Sequence, residues 1–189
     1  MTTSDFNGAK LSIVDLPTRP DHFRDYELDL VVGDDLGTSV MRVEPGTVLH
    51  VNATAQSLTD GVLLRLNTEV PIVFSCARCL DEVSETVDLS LDELYFTPEA
   101  IKRMEAEEGE EAIEDLEVLE ADQIELEPLL RDAIIADMEF SPLCSDDCLG
   151  LCEDCGEPLR DLPADHSHEL LDPRLSALDA LFSKEEPGA

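Results

Sequence analysis

The sequence predicts an α+β protein with a curled antiparallel β-sheet or barrel-like domain, one main helix and a small cysteine-rich segment towards the C-terminus. Three observations predict this class. Apolar and polar residues alternate with period two over much of residues 1–98, helical spacing appears after residue 123, and four of the six cysteines lie between Cys144 and Cys155. The chain therefore divides into an antiparallel β domain (1–98), an acidic linker or loop (99–122) and a third part (123–189). That third part holds the helix, the cysteine-rich segment and a short final helix.

The first strand is Tyr26 to Val32, with Tyr26, Leu28, Leu30 and Val32 on one face. The second, Gly46 to Gln56, places Leu49, Val51, Ala53 and Ala55 opposite His50, Asn52, Thr54 and Gln56. Asp60–Gly61 supplies the hairpin turn. The return strand aligns Val62, Leu64, Leu66, Val70, Ile72 and Phe74 and runs directly into Cys76. A further strand, Val83 to Phe96, carries Val83, Val87, Leu89, Leu91 and Tyr95 on one side. One apolar face per strand implies a sheet packed on one side. From Glu99 to Asp122 carboxylates dominate, and their mutual repulsion favours a loop over a packed element. The main helix follows, with a stripe of Leu126, Leu130, Ala133, Ile134 and Met138 and with Pro128 in its first turn. Ser141–Pro142 ends it before Cys144. The final helix starts at Asp172, an N-cap, and its stripe is Leu175, Leu178, Leu181 and Phe182.

Twelve basic against 45 acidic residues give a formal charge of −33. Affinity for nucleic acid is dominated by Lys and Arg on phosphates, so this balance opposes that mode of binding and favours basic partners. No apolar run approaches the roughly 20 residues that cross a bilayer, and the N-terminal stretch lacks the pattern of a secretory signal. The expectation is a soluble cytoplasmic protein with no membrane association.

In a reducing compartment, clustered cysteines are metal ligands or redox groups before they are disulfides. Two CxxC pairs, Cys76/Cys79 and Cys152/Cys155, have the spacing at which both thiolates turn towards one ion. Gly150 and Gly156 permit tight turns beside the second pair. No βαβ pattern supports a thioredoxin-like redox site. Cys144, Cys148, His166 and His168 complete eight candidate donors for a structural Zn2+ of zinc-knuckle type. One partition is a single local site of Cys144, Cys148, Cys152 and Cys155, with a histidine in place of one of them. Another joins the two CxxC pairs and leaves Cys144, Cys148, His166 and His168 for a second site. Spacing alone leaves both open. A closed structural site is favoured because no base-bearing motif such as HExxH accompanies the donors.

The order of these motifs resembles the YceD family of large ribosomal RNA subunit accumulation proteins. The resemblance rests on the strand ending in Cys76-Ala-Arg78-Cys79-Leu80 and on the helix Leu129 to Met138. It continues through the run Leu143 to Leu159 with its GLCxxCG core and the DPRxxAL segment at Asp172 to Leu178. It covers the chain from about Gly46 onward. Many relatives end the signature with a short CxC, where this chain has His166-Ser167-His168. The resemblance implies a non-enzymatic factor for accumulation, processing or assembly of large-subunit (23S) ribosomal RNA. Its partner would be a large-subunit precursor or a basic ribosomal protein.

Two surfaces are candidates for partner binding. The acidic run Glu105, Glu107, Glu108, Glu110, Glu111, Glu114 and Asp115 can imitate the charge density of RNA before a basic ribosomal tail. Arg78 lies between two proposed ligands. An alternative is a zinc-containing protein that contacts precursor rRNA directly through Arg78, Arg131, Arg160 and Arg174, although no basic stripe interleaved with aromatics supports it. A zinc-dependent hydrolase is the remaining reading and has no candidate catalytic base.

Overall fold

The computed structural model describes residues 2–33 and 36–168. The chain forms two compact units, Met1–Cys144 and Ser145–Ala189. The predicted final helix and the DPRxxAL segment, with Arg174, lie outside the described residues.

The first unit is built on a seven-stranded sheet. In chain order its elements are β1 (Thr2–Asp5), β2 (Lys10–Ser12), β3 (Phe23–Val31), β4 (Met41–Arg42), β5 (Val48–Ser57), β6 (Gly61–Ser75) and β7 (Glu82–Phe96). There follow α1 (Pro98–Glu108), a 3-10 turn at Glu110–Ala112, β8 (Glu117–Val118), β9 (Gln123–Glu125) and α2 (Leu126–Asp137). The sheet order is β1-β3-β5-β6-β7-β8, with β4 alongside β6, while β2 and β9 make a separate antiparallel pair. The central strands are antiparallel, but β1 joins β3 and β8 joins β7 in parallel. The sheet is thus mixed and open rather than a closed barrel. Its terminal members, β1 and β8, do not pair with each other, and β8 is only two residues long.

Strand periodicity translates directly into burial. Leu49, Val51, Ala53 and Ala55 of β5 are buried, as are Val62, Leu64, Leu66, Val70, Ile72 and Phe74 of β6. Thr68 takes the remaining position on that face of β6 and is also buried. Leu126, Leu130 and Ile134 of α2 enter the same cluster together with Phe6, Leu11 and Ile13 from the N-terminal segment. That segment is tied to the start of α2 by Leu126 N to Ala9 O at 2.9 Å and by Ile13 N to Asp122 O at 2.9 Å.

The acidic stretch is more ordered than its charge suggests. The Thr97 side chain caps the amide of Ala100, Pro98 occupies the first turn, and Gly109 at φ 95° ends α1. Glu99, Ala100, Lys102 and Arg103 are good helix formers, and Arg103 reaches Asp60 at 2.6 Å. A cap with a favourable first turn therefore outweighs the repulsion that begins at Glu105. The helix buries only Ala100, and all seven carboxylates of the run are exposed. The β6–β7 hairpin is the element that positions the first candidate centre. Its pairing extends without interruption from Gly61 opposite Phe96 to Ser75 opposite Glu82, so the chain between them must reverse within Cys76–Asp81.

Candidate metal centres

The reversal at the end of the hairpin is a tight knuckle. Cys76 N donates to Asp81 O at 2.8 Å, and Leu80 N donates back to Cys76 O at 2.9 Å. Leu80 is held at φ 61°, a left-handed conformation unusual for a branched residue. Cys76 is fully covered and Cys79 is 5% exposed. The chain after α2 passes over this knuckle, with Ala77 N donating to Pro142 O at 2.8 Å. It brings the exposed Cys144 to 3.6 Å from Cys79, sulfur to sulfur. The sulfurs of Cys76, Cys79 and Cys144 all lie within 4.8 Å of one another.

Electrostatics favour thiolate here. The backbone N–H of Cys79 is the largest influence lowering the Cys76 thiol to about 6, helped by the amides of Cys144 and Arg78 and opposed by burial. Arg78 occupies the exposed tip of the knuckle, so its amide serves Cys76 while its side chain faces outward.

The second unit repeats the construction. Cys152 N donates to Glu157 O at 2.8 Å, and Gly156 N donates to Cys152 O at 2.9 Å. Position for position these are the bonds of the first knuckle, with Gly156 at φ 74° where the first has Leu80. Leu151 bridges to Pro158, and Leu159 N donates to Gly150 O at 2.9 Å, which extends the turn into a short two-stranded stem. The amides of Cys155 and Asp154 hold the Cys152 thiol down to about 6, and the imidazole of His166 adds to them. Cys155 Sγ lies 3.6 Å from His166 Nε2, and His166 Nε2 lies 2.8 Å from His168 Nε2. The donor atoms of Cys152, Cys155, His166 and His168 all fall within 4.8 Å of one another. Cys148 is half-buried in the turn that opens this unit, its N donating to Ser145 O at 3.1 Å.

These spacings suit an ion. Tetrahedral zinc with Zn–S of about 2.3 Å and Zn–N of about 2.0–2.1 Å sets S···S edges near 3.8 Å and S···N edges near 3.6 Å. The Cys79–Cys144 and Cys155–His166 separations, both 3.6 Å, lie close to those edges, whereas the 2.8 Å between the two histidine nitrogens must open to about 3.3 Å around an ion. Both clusters are therefore able to hold a metal.

The grouping differs from each partition that spacing suggested. Cys144 gathers with Cys76 and Cys79, and Cys152 with Cys155 gathers with the two histidines. The cause is topological: the hairpin carries the first knuckle to the chain leaving α2, and the second stem closes on the residues that follow it. The amide donors that stabilise both leading thiolates carry no side-chain signal. Their one trace in sequence is the CxxC spacing itself.

The family model described as YceD, large ribosomal RNA subunit accumulation protein, matches residues 64–182. An uncharacterised protein of Mycobacterium tuberculosis (strain ATCC 25618 / H37Rv) is 34% identical over 150 residues, covering 79% of this chain and 70% of its own length. One from Mycobacterium bovis has the same identity and coverage. One from Mycobacterium leprae is 29% identical over 152 residues, covering 80% of this chain and 67% of its own. No solved structure matches the chain significantly.

Proposed function

The chain belongs to the YceD family of large ribosomal RNA subunit accumulation proteins, and on that premise we propose that it is a non-enzymatic factor for the accumulation, processing or assembly of 23S ribosomal RNA. It acts in the cytoplasm, mainly through protein contacts. The observation that carries this reading is the extent of the family match, which starts within β6 and includes both knuckles and all eight candidate ligands. The charge of −33 supports contact with a basic protein over contact with phosphate. Its partner is a large-subunit precursor or a basic ribosomal protein, attracted at long range by the exposed run from Glu105 to Asp115.

The proposed cofactor is structural Zn2+ at two centres. Cys76, Cys79 and Cys144 supply three ligands of the first, and Cys148, four residues farther along the chain, is the proposed fourth. Cys152, Cys155, His166 and His168 hold the second. The ion supplies cross-linking of segments that bury few apolar groups, and four protein donors leave no coordination position for a substrate. Among the described residues no helix is long and apolar enough to cross a membrane.

Gentle affinity purification of the tagged full chain tests this reading, with proteins, RNA and metal measured on one sample. Large-subunit proteins or rRNA precursors should co-purify. Recovery of unrelated complexes with no ribosomal material would overturn the reading, and recovery of RNA that survives removal of protein would favour direct contact with rRNA.

A further inference from the structure

A groove of about 900 Å³ lies between β7 and α2 and is closed at one side by the segment around β8. Its apolar lining includes Leu91 and Tyr95 of β7, Leu116 and Val118 in and before β8, and Pro128 and Leu129 of α2. Ala133 and Ala136 continue the α2 wall on the same helical face, and their small side chains keep it shallow. Val118 is 40% exposed, so part of this lining is open to solvent.

Five carboxylates surround the lining: Glu93, Glu117, Glu120, Glu125 and Asp132. The single lysine among the groove residues, Lys10, is held by Glu125 at 2.6 Å. Groups of both kinds register the resulting negative field. The Tyr95 phenol is pushed up to about 12, first by burial and then by Glu117, Glu93 and Glu125. Lys10 is raised by its hydrogen bond and attraction to Glu125, with Glu120 adding to both.

A groove that is apolar at its base and anionic at its rim complements a chain segment that is aliphatic on one side and cationic around it. Nucleic acid meets the wrong sign, and a simple cation leaves the floor uncovered. We propose that the β7–α2 groove is the docking site for a lysine- and arginine-rich protein segment that lays aliphatic side chains over Leu91, Val118 and Leu129. This rests on the reading of the partner as a basic protein, and it moves the specific contact away from α1. The carboxylates Glu105, Glu107 and Glu108 stand on a helix that buries only Ala100 and offers no comparable floor.

The probe is a fluorescent peptide of about 16 residues, with leucine at helical spacing and lysine elsewhere. It is titrated against the zinc-loaded full chain at about 0.15 M salt. Saturable binding should weaken about tenfold in the triple variant Glu93→Gln, Glu117→Gln, Glu120→Gln. The control triple Glu105→Gln, Glu107→Gln, Glu108→Gln removes the same charge outside the groove and should change affinity less than about twofold. Ala136→Arg places a cation at an exposed groove position, so it decides the matter if the groove triple folds poorly, and it too should weaken binding about tenfold. The proposal is overturned if both triples weaken binding equally, if oligolysine of equal length binds as well, or if the wild type does not bind. Affinity purification separates the two ideas. Ribosomal material recovered equally by wild type and Ala136→Arg sinks the groove alone, whereas none recovered by wild type sinks the ribosomal reading.

Discussion

Gly61→Ala is the sharpest test of how the hairpin is built. Gly61 does not have positive φ, so turn geometry is not what requires glycine. The constraint is contact: an added Cβ would stand 2.0 Å from the Tyr95 carbonyl oxygen, 2.9 Å from Tyr95 C and 3.1 Å from Phe96 Cα. All three are backbone atoms of the paired strand, so β6 and β7 must separate locally by about 1.5 Å to reach ordinary contact. Two neighbouring bonds are then strained, Thr97 N to Asp60 O at 2.9 Å and Leu58 N to Gly61 O at 2.8 Å. Their loss costs about 2 kcal/mol together, and residual crowding adds about 1–3 kcal/mol. Alanine's lower entropy in the unfolded chain returns about 0.5–1 kcal/mol. The net is about 2–4.5 kcal/mol, or a melting point lower by about 4–18 °C for a chain of this size. Thermal melts and urea titrations measure it, with Gly46→Ala as control. Gly46 has φ 82° and nothing within 4 Å of an added Cβ, so alanine there costs about 1 kcal/mol of backbone strain alone. Zinc content should not change in Gly61→Ala, because the Cys76 knuckle lies at the opposite end of the pairing. A variant that melts within about 2 °C of wild type would refute the contact argument.

The remaining predictions concern the knuckles. Protein purified under reducing conditions should carry about two zinc ions per chain by elemental analysis, and Cys79→Ser or Cys155→Ser should each lower this to about one; loss of both ions from either substitution would contradict independent centres. In metal-free reduced protein, the Cys76 and Cys152 thiolates should persist as pH falls until about 6. Because these folded values are depressed, the associated stability is complete only above the free-thiol range near 8.5 and is lost as pH falls through about 6. Thiolate absorbance near 240 nm follows this, and its disappearance by about pH 8 would reject the amide-stabilised geometry. Leu80→Gly should stabilise the protein by up to about 1 kcal/mol. The left-handed strain at φ 61° is worth about 1–2 kcal/mol, glycine's entropy cost is smaller, and the side chain is 66% exposed. A fall in the urea midpoint would show that Leu80 makes a contact that outweighs its strain.

The central strands were legible because each has one wet face, which imprints period two on the residues. Leu49 to Ala55 and Val62 to Phe74 announce their burial in this way. The α2 stripe was legible for the same reason with the helical period. The short elements were not: β1, β2 and β4 have two to four residues each, too few to show a period, and they exist because the rest of the unit offers them partners. Helix α1 was obscured because charge density masked a sound cap at Thr97–Pro98.

By itself the sequence determined which atoms can bind a metal and which faces must be buried, since donor chemistry and hydrophobic period are properties of residues and their spacing. It also determined the sign of the field that any partner meets. Only the tertiary structure decided which donors meet, because Cys79 and Cys144 are brought together by a hairpin end and a returning chain that no local spacing encodes. The same holds for the β7–α2 groove, where Glu93 of β7 shares one cavity with the carboxylates of residues 117–132 through the packing of a helix beside a strand.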